Sequence, residues 1–238
     1  MKLEISGVIV GDSEQGIYDW FGINATSPKK IKAEIAKAKK NEELNVTINS
    51  GGGSVFAGSE IYTLLKSEHE SRKLTGQITG MAASAASVIA MAFDNLEMSP
   101  TAQLMIHNAA TIAFGNKNDM KDTSKFLNQI DKSISNAYIV KTGLSQDKLL
   151  DMMNKETWMT AQEALENKFI DKIMFTDEKT FKNDVKLEAG GVLPQSVIDK
   201  MRQELALKNK KEEVIEQPMD IDNSILLAKA KLNLKCKL

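Results

Sequence analysis

The segment from Gly80 to Ala92 constrains the fold of this chain more than any other. It contains alanine, serine, methionine and branched apolar residues but no charged one, a composition typical of a helix buried on all sides. A β-rich run at 74–79 precedes it, and we expect Gly80 to turn the chain from strand into helix. Ser84 falls at the predicted helix N-terminus, where free N–H groups favour a developing oxyanion. The segment alone leaves open whether Ser84 is a nucleophile or a core serine bonded to helix carbonyls.

A second turn of this kind lies earlier, at the consecutive glycines Gly51, Gly52 and Gly53. It follows a predicted strand at 45–49 and precedes a helix that begins near Ser54. Glycine permits positive φ and close approach of another chain, and a turn from strand to helix directs N–H groups at an anion. Three glycines alone are more often a flexible loop. The helix that follows at once favours the structured turn.

Of the two histidines, only His107 has a catalytic setting. His69 lies among charged and polar residues, and we expect it to be a solvated surface residue. His107 ends an apolar strand predicted at 103–107, where a histidine is either satisfied by backbone partners or acts as a general base. Only one short strand and one helix separate it from Ser84, so the two side chains can meet.

The alternation of strands and helices predicts an α/β fold with a mainly parallel sheet. We expect a strand at 2–10, a short strand at 17–21 and a helix from the Ser27–Pro28 signal to about Lys40. Later, 117–142 has an apolar stripe at helical spacing and is predicted to be one long helix that packs on the core or on another subunit. Its stripe comprises Met120, Leu127, Ile130, Ile134, Ala137 and Tyr138.

The chain divides in composition near residue 175. We predict one folded domain over 1–175 and, over 176–238, a charged linker followed by a helical or disordered tail. The net charge of −1 gives no case for a nucleic-acid or acidic-membrane partner. With Cys236 as the single cysteine, no zinc spacing and no phosphate-binding loop, we expect no disulfide, metal or cofactor. The beginning of the chain is unlike a signal peptide, and the longest apolar run is too short for a bilayer, which favours a cytoplasmic protein.

Four motifs together resemble the Clp protease proteolytic subunit. They occur in that family's order, over about Ser50 to Ala164, and the surrounding elements extend the similarity to about Phe175. The motifs are Asn49–Val55 followed by Gly58, Gly80–Ala86, Met105–His107 and Trp158–Ala164. Three stretches are most similar to the Clp-related head maturation, or prohead, proteases of tailed phages and prophages: Tyr18–Gly22, Ala83–Ser87 and Glu156–Trp158.

This resemblance implies a ClpP/crotonase-like superfold of stacked βαβ units with a protruding head region carried by the long helix. Ser84 then matches the nucleophile and His107 the general base, while the backbone N–H groups of Gly52 and Ala85 match the oxyanion donors. The family's acidic residue matches Glu156, which we prefer to Asp151 as the third triad member. The chain departs from the housekeeping family in having Gly51 in place of proline and Glu156 in place of aspartate.

The resemblance also implies an activity and partners. We expect an ATP-independent serine endopeptidase that processes capsid or scaffold protein in the host cytoplasm, or inside a prohead, and assembles with itself into rings. An unfoldase ATPase is not expected as a partner, although the sequence leaves one open. Two alternatives remain: a non-catalytic scaffolding module whose tail binds capsid protein, and a crotonase-type acyl-CoA enzyme that uses the same glycine-loop amides.

Overall fold

The computed structural model describes residues 1–176, so the predicted linker and tail lie outside the described residues apart from Thr176. The division of the chain near residue 175 therefore stays a prediction. The strands are β1 (Lys2–Ile9), β2 (Ala25–Thr26), β3 (Leu44–Gly53), β4 (Leu74–Ala83), β5 (Asn95–Met98), β6 (Gln103–Ile106), β7 (Thr157–Met159) and β8 (Lys172–Ile173). The helices are α1 (Asp12–Trp20), α2 (Pro28–Ile35), α3 (Val55–Glu68), α4 (Ala85–Ala90), α5 (Lys117–Thr142), α6 (Gln146–Asn154) and α7 (Ala161–Glu166).

The strands form one sheet in the order β2-β1-β3-β4-β5-β8, and these neighbours pair in parallel. Beside the C-terminal end of β4 the sheet continues differently. There β6 pairs with β4 in parallel, and β7 pairs with β6 in antiparallel. This arrangement confirms the predicted α/β class with a mainly parallel sheet, and it brings the C-terminal ends of β4 and β6 together.

The small-residue segment forms the most deeply buried helix of the described chain. Every residue of α4 is buried, and α3 packs directly against it. An added Cβ on Gly58 would lie 3.0 Å from the Cβ of Ala85, so the two helices approach as closely as they do because both carry small residues there. The prediction of a fully buried helix is confirmed.

Gly80 does not turn the chain, as the sequence led us to expect. β4 continues through it to Ala83, because the end of β4 has pairing partners on both sides: Ala82 is in register with Ser50 of β3, and Ala83 with Met105 of β6. The turn falls at Ser84 itself, which has φ 56° and ψ −125°. The nucleophile candidate thus occupies the turn between strand and helix.

The short strand predicted at 17–21 is also wrong, because this stretch belongs to α1. Local hydrogen bonds start that helix: Glu14 N–H donates to Gly11 O (3.0 Å), and Gly11 N–H donates to the Glu14 carboxylate (3.2 Å). The long helix is confirmed as α5, which is capped by Asn116 and ends at Gly143 with φ 71°. Within residues 1–176, no helix combines the length and the apolar character that crossing a membrane requires.

Candidate active site

Ser84 and His107 meet at the C-terminal ends of β4 and β6. Ser84 Oγ lies 2.8 Å from His107 Nε2, a hydrogen-bonding distance. The contact follows from the sheet, because Ala83 and Met105 are paired and Ser84 N–H donates to Met105 O (3.0 Å). The arrangement is that of a serine whose hydroxyl proton can pass to an imidazole.

The backbone of Ser84 is held in a conformation that non-glycine residues rarely adopt. Its positive φ costs on the order of 1–3 kcal/mol of folding free energy, which contacts with neighbouring residues must offset. Ser84 O accepts hydrogen bonds from the Ser87 N–H (3.0 Å) and the Ser87 hydroxyl (2.6 Å). Ser87 Oγ in turn accepts from the hydroxyl of Tyr138 on α5 (2.8 Å), and burial raises the pKa of that phenol, which keeps it a donor. The strained turn is therefore tied to the long helix.

The predicted glycine turn is wrong, because β3 continues through Gly53: Gly52 and Gly53 pair with Val8 and Ile9 of β1. This glycine segment lies directly against Ser84. An added Cβ on Gly52 would lie 2.7 Å from both Ala83 O and Ser84 Cβ, and φ there is +95°. Only glycine fits, so the backbone of Gly52 approaches Ser84 closely. In this structure, however, its N–H donates to Ser50 Oγ (3.0 Å), whose hydroxyl donates to Gly7 O (2.6 Å). The other predicted donor, Ala85 N–H, begins α4 and has no acceptor within that helix.

Glu156, the predicted third member, lies at the same end of the β6–β7 pair as His107. Ile106 and Thr157 are the last paired residues, and His107 and Glu156 each stand one position beyond them. Glu156 is exposed with φ 48°, and its carboxylate accepts a hydrogen bond from the Trp158 indole N–H (3.2 Å). Among the described residues it makes no hydrogen bond to His107. The alternative, Asp151, is exposed and pairs with Lys155 within its own helix (2.6 Å).

Sequence reasoning missed a carboxylate that contacts the segment just after the histidine strand. Asp131 of α5 is only 6% exposed, and its Oδ1 accepts a hydrogen bond from Ala109 N–H (2.7 Å). Burial raises the pKa of Asp131, which the Ala109 N–H and the nearby His107 partly offset. A signal was present in the sequence, because Asp131 falls between Leu127 and Ile134 on the apolar stripe of the helix. A carboxylate on a buried face requires a partner.

A cleft of about 600 Å³ opens beside Ser84 and His107. One wall is the segment 109–113 that follows β6, and the other is the apolar face of α5. No charged side chain lines the cleft among the described residues. The apolar side chains that α5 contributes are Phe126, Leu127, Ile130 and Ile134. Such a cleft suits an apolar group next to the bond that Ser84 would attack.

The second histidine, His69, is less exposed than we expected, and it does not line this cleft. His69 is not fully solvated: its side chain is 16% exposed and its Nδ1 lies 3.3 Å from Asp94 Oδ2. Lys66 contacts the same carboxylate (2.6 Å). Within residues 1–176, no group of three histidine, cysteine, aspartate or glutamate side chains is arranged to hold a metal ion.

The fold is that of an α/β protein with a serine and a histidine in hydrogen-bonding contact, and comparison with known proteins gives the family. The model of the Clp protease family matches residues 22–177. The chain therefore belongs to the Clp protease family.

Relatives within this family include ATP-dependent Clp protease proteolytic subunits. The one from Bacteroides fragilis is 34% identical over 135 residues, which are 56% of this chain and 64% of that protein. The one from Deinococcus radiodurans is 30% identical over 135 residues, which are 56% of this chain and 65% of that protein. The chain thus spans slightly less than two thirds of the length of either relative.

A solved structure, that of a mutant ClpP1 from Listeria monocytogenes, has the same fold. It superimposes with a TM-score of 0.58 at 20% identity, covering 75% of this chain and 92% of that one. The predicted ClpP-like fold is confirmed.

Proposed function

We propose that this protein is a serine endopeptidase in which Ser84 is the nucleophile and His107 the general base. The observation that carries the proposal is the 2.8 Å contact between Ser84 Oγ and His107 Nε2 at the mouth of an apolar cleft. Membership of the Clp protease family supports the same chemistry. Neither a scaffolding role without catalysis nor acyl-CoA chemistry has an observation in its favour among the described residues.

In the proposed reaction, His107 Nε2 takes the proton of Ser84 as Oγ attacks the carbonyl carbon of a peptide bond. The oxyanion that forms is held by the Ala85 N–H and, once it is released from Ser50, by the Gly52 N–H. The imidazolium then protonates the leaving amine, and a water molecule hydrolyses the acyl-enzyme with His107 again as base. Glu156 is retained as the acid that the family motif assigns to orient the imidazole.

The cleft supports a substrate class as well. Because α5 lines it with aromatic and aliphatic side chains and no charged side chain, we expect the residue before the cut bond to be apolar. We further propose that the substrate is a capsid or scaffold protein of a tailed phage or prophage, that cleavage needs no ATP, and that the subunits form rings in the host cytoplasm. The sequence resemblance to head maturation proteases supports this finer role.

Cleavage of a diverse peptide library, read by mass spectrometry without ATP, tests the activity. The wild-type chain should cut after apolar residues, whereas Ser84→Ala should cut nothing. Ser71→Ala is a matched control, since Ser71 is exposed and its hydroxyl bonds only to Glu68 O nearby. Equal cleavage by wild type and Ser84→Ala would contradict the proposal.

The phage role needs its own test. Purified capsid and scaffold proteins encoded beside the gene are incubated with wild type and Ser84→Ala, and light scattering gives the mass of the folded protease. We expect trimming by the wild type alone and a ring-sized particle. Peptide cleavage without trimming would reject the phage substrate and keep the protease, while a folded, active monomer would reject the ring.

A further inference from the structure

We propose that Asp131 is a positioning residue for His107, which it serves by anchoring the segment that follows β6 and by placing a buried negative charge beside the imidazole. This inference rests on the proposed function, since it assigns Asp131 a role at the same site. The relevant observations are the burial of Asp131 and its hydrogen bond to Ala109, which lies two residues beyond His107.

The hydrogen bond fixes the backbone immediately after the histidine. Asp131 lies in the middle of α5, and its bond to Ala109 N–H spans 22 residues of sequence at 2.7 Å. Ala109 is two residues beyond His107, where the chain has left the strand and is not held by sheet pairing. Loss of this bond would free the segment that carries the imidazole and forms one wall of the cleft. Asp131 thus joins the long helix to the catalytic strand.

Burial strengthens the electrostatic effect of the Asp131 carboxylate on its neighbours. A side chain that is 6% exposed is poorly screened by water, so its charge acts on neighbours more strongly than an exposed one. Asp131 is the only titratable side chain that lines the neighbouring cavity among the described residues. A small cavity of about 470 Å³ beside it is lined by neutral residues of α5 and of the segment 108–113. When His107 takes the proton of Ser84, this charge would favour the imidazolium.

Glu156 is less well placed for the same task in this structure. It is exposed, its charge is screened, and its carboxylate is bonded to the indole of Trp158. Asp131 has no such competing side-chain bond among the described residues. We therefore assign the larger share of His107 positioning to Asp131.

The experiment compares Asp131→Asn with Glu156→Gln in the full-length chain. The Asp131→Asn change keeps a side-chain oxygen for the Ala109 N–H and removes only the charge, and Glu156→Gln is the matched isosteric change at the other acid. Two quantities are measured across pH: the rate at which a fluorophosphonate labels Ser84, and the pH at which the His107 ring resonance titrates by NMR. The NMR readout needs no catalysis.

We expect Asp131→Asn to lower the labelling rate about tenfold to a hundredfold, less than the loss of a triad member. The acid limb of its rate profile and the NMR titration should both move to lower pH, because the charge that favours the imidazolium is gone. Glu156→Gln should also slow labelling, but less than Asp131→Asn does and with a smaller move of both pH values, because the exposed Glu156 carboxylate is screened by water.

An unchanged rate and an unchanged titration in Asp131→Asn would overturn the inference, and a large loss in Glu156→Gln alone would reassign the role to Glu156. If the wild type is not labelled at all, the proposed function fails. A titration shift in Asp131→Asn would then still support the pairing of Asp131 with His107, so the two failures are distinguishable. A melting temperature for each variant establishes that both are folded.

Discussion

The C-terminal end of β3 and the turn after β4 both lead from a parallel strand into a helix, yet their conformations are fixed in opposite ways. Ser84 makes its turn in a strained conformation that is held by hydrogen bonds to Met105 and Ser87. The glycine segment at 51–53 can adopt its conformation because it carries no side chains. Its Gly52 N–H is hydrogen-bonded to a single hydroxyl, that of Ser50. The comparison indicates that hydrogen bonds hold the strained turn at Ser84, whereas Gly52 lies close beside it because it carries no side chain.

Gly52→Ala should have the largest effect on activity, because it tests directly whether the glycine segment must lie against Ser84. The added Cβ would lie 2.7 Å from Ala83 O and Ser84 Cβ at a positive φ, so the glycine segment must move away from the nucleophile. We expect labelling and peptide cleavage to fall about a hundredfold or more, the size of losing an oxyanion donor. Gly51→Ala is the matched control, because its Cβ would meet only the Met81 side-chain end at 3.5 Å. Equal activity of the two variants would show that Gly52 does not approach the nucleophile.

Ser50→Ala tests the role of the hydroxyl that holds the Gly52 N–H. It removes the hydroxyl that accepts the Gly52 N–H and donates to Gly7 O. We expect the fluorophosphonate labelling rate to rise several-fold, while the free energy of unfolding falls by about 1 kcal/mol for the buried hydrogen bonds lost. Stopped-flow labelling and urea denaturation measure the two effects. A lower rate with normal stability would mean that Ser50 holds the glycine segment in its active form.

The strain at Ser84 gives a further prediction, which concerns stability. Ser84→Gly and Ser84→Ala both remove the nucleophile, but only glycine adopts the observed backbone conformation without cost. We expect Ser84→Gly to exceed Ser84→Ala in free energy of unfolding by about 1 kcal/mol. Thermal and chemical denaturation of the two inactive variants provide the measurement. The same stability in both would indicate that the turn relaxes once the hydroxyl is absent.

The smallest predicted effect is the dependence of folding stability on pH through Glu163, in the first turn of α7. Hydrogen bonds from the Thr160 N–H and hydroxyl hold the pKa of Glu163 below its ordinary value. The ionised carboxylate therefore stabilises the fold above that ordinary value, and the contribution is lost as pH falls through the lowered one. Glu163→Gln should be slightly less stable than wild type at pH 7 and equal to it in strong acid. Urea midpoints at the two pH values test this, with the exposed Glu166→Gln as control; a constant difference would contradict it.

The sequence predicted those parts of the molecule that local chemistry determines. The helix predicted over 117–142 is α5, which the structure shows capped by Asn116 and ended at Gly143, and an uncharged run of small residues becomes the buried α4. The family motifs led to Ser84 and His107, which the sheet brings into contact because each follows a strand of the same parallel pair. The glycines were correctly singled out as a place of close approach, since only glycine fits at position 52, but they end β3 and do not form a turn after it.

What the sequence did not predict depends on partners distant in the chain. The turn was assigned to Gly80 because the pairing of the β4 end with both β3 and β6 is invisible locally. α1 was missed because its second half contains Ile17, Tyr18 and Trp20, residue types that favour strands locally, and because it buries no side chain in the described structure. Asp131 was overlooked because its partner, Ala109, belongs to another element 22 residues away.

The activation of Ser84 by His107 is the central claim, and intact-mass labelling with a fluorophosphonate tests it most directly. Wild type, Ser84→Ala and His107→Ala are treated in parallel, and the adduct is located by peptide mapping. We expect one adduct on wild type at Ser84, none on Ser84→Ala, and labelling of His107→Ala slowed by about a hundredfold or more. Folded, oligomeric wild type that takes up no label, or takes it up at another residue, would contradict the account.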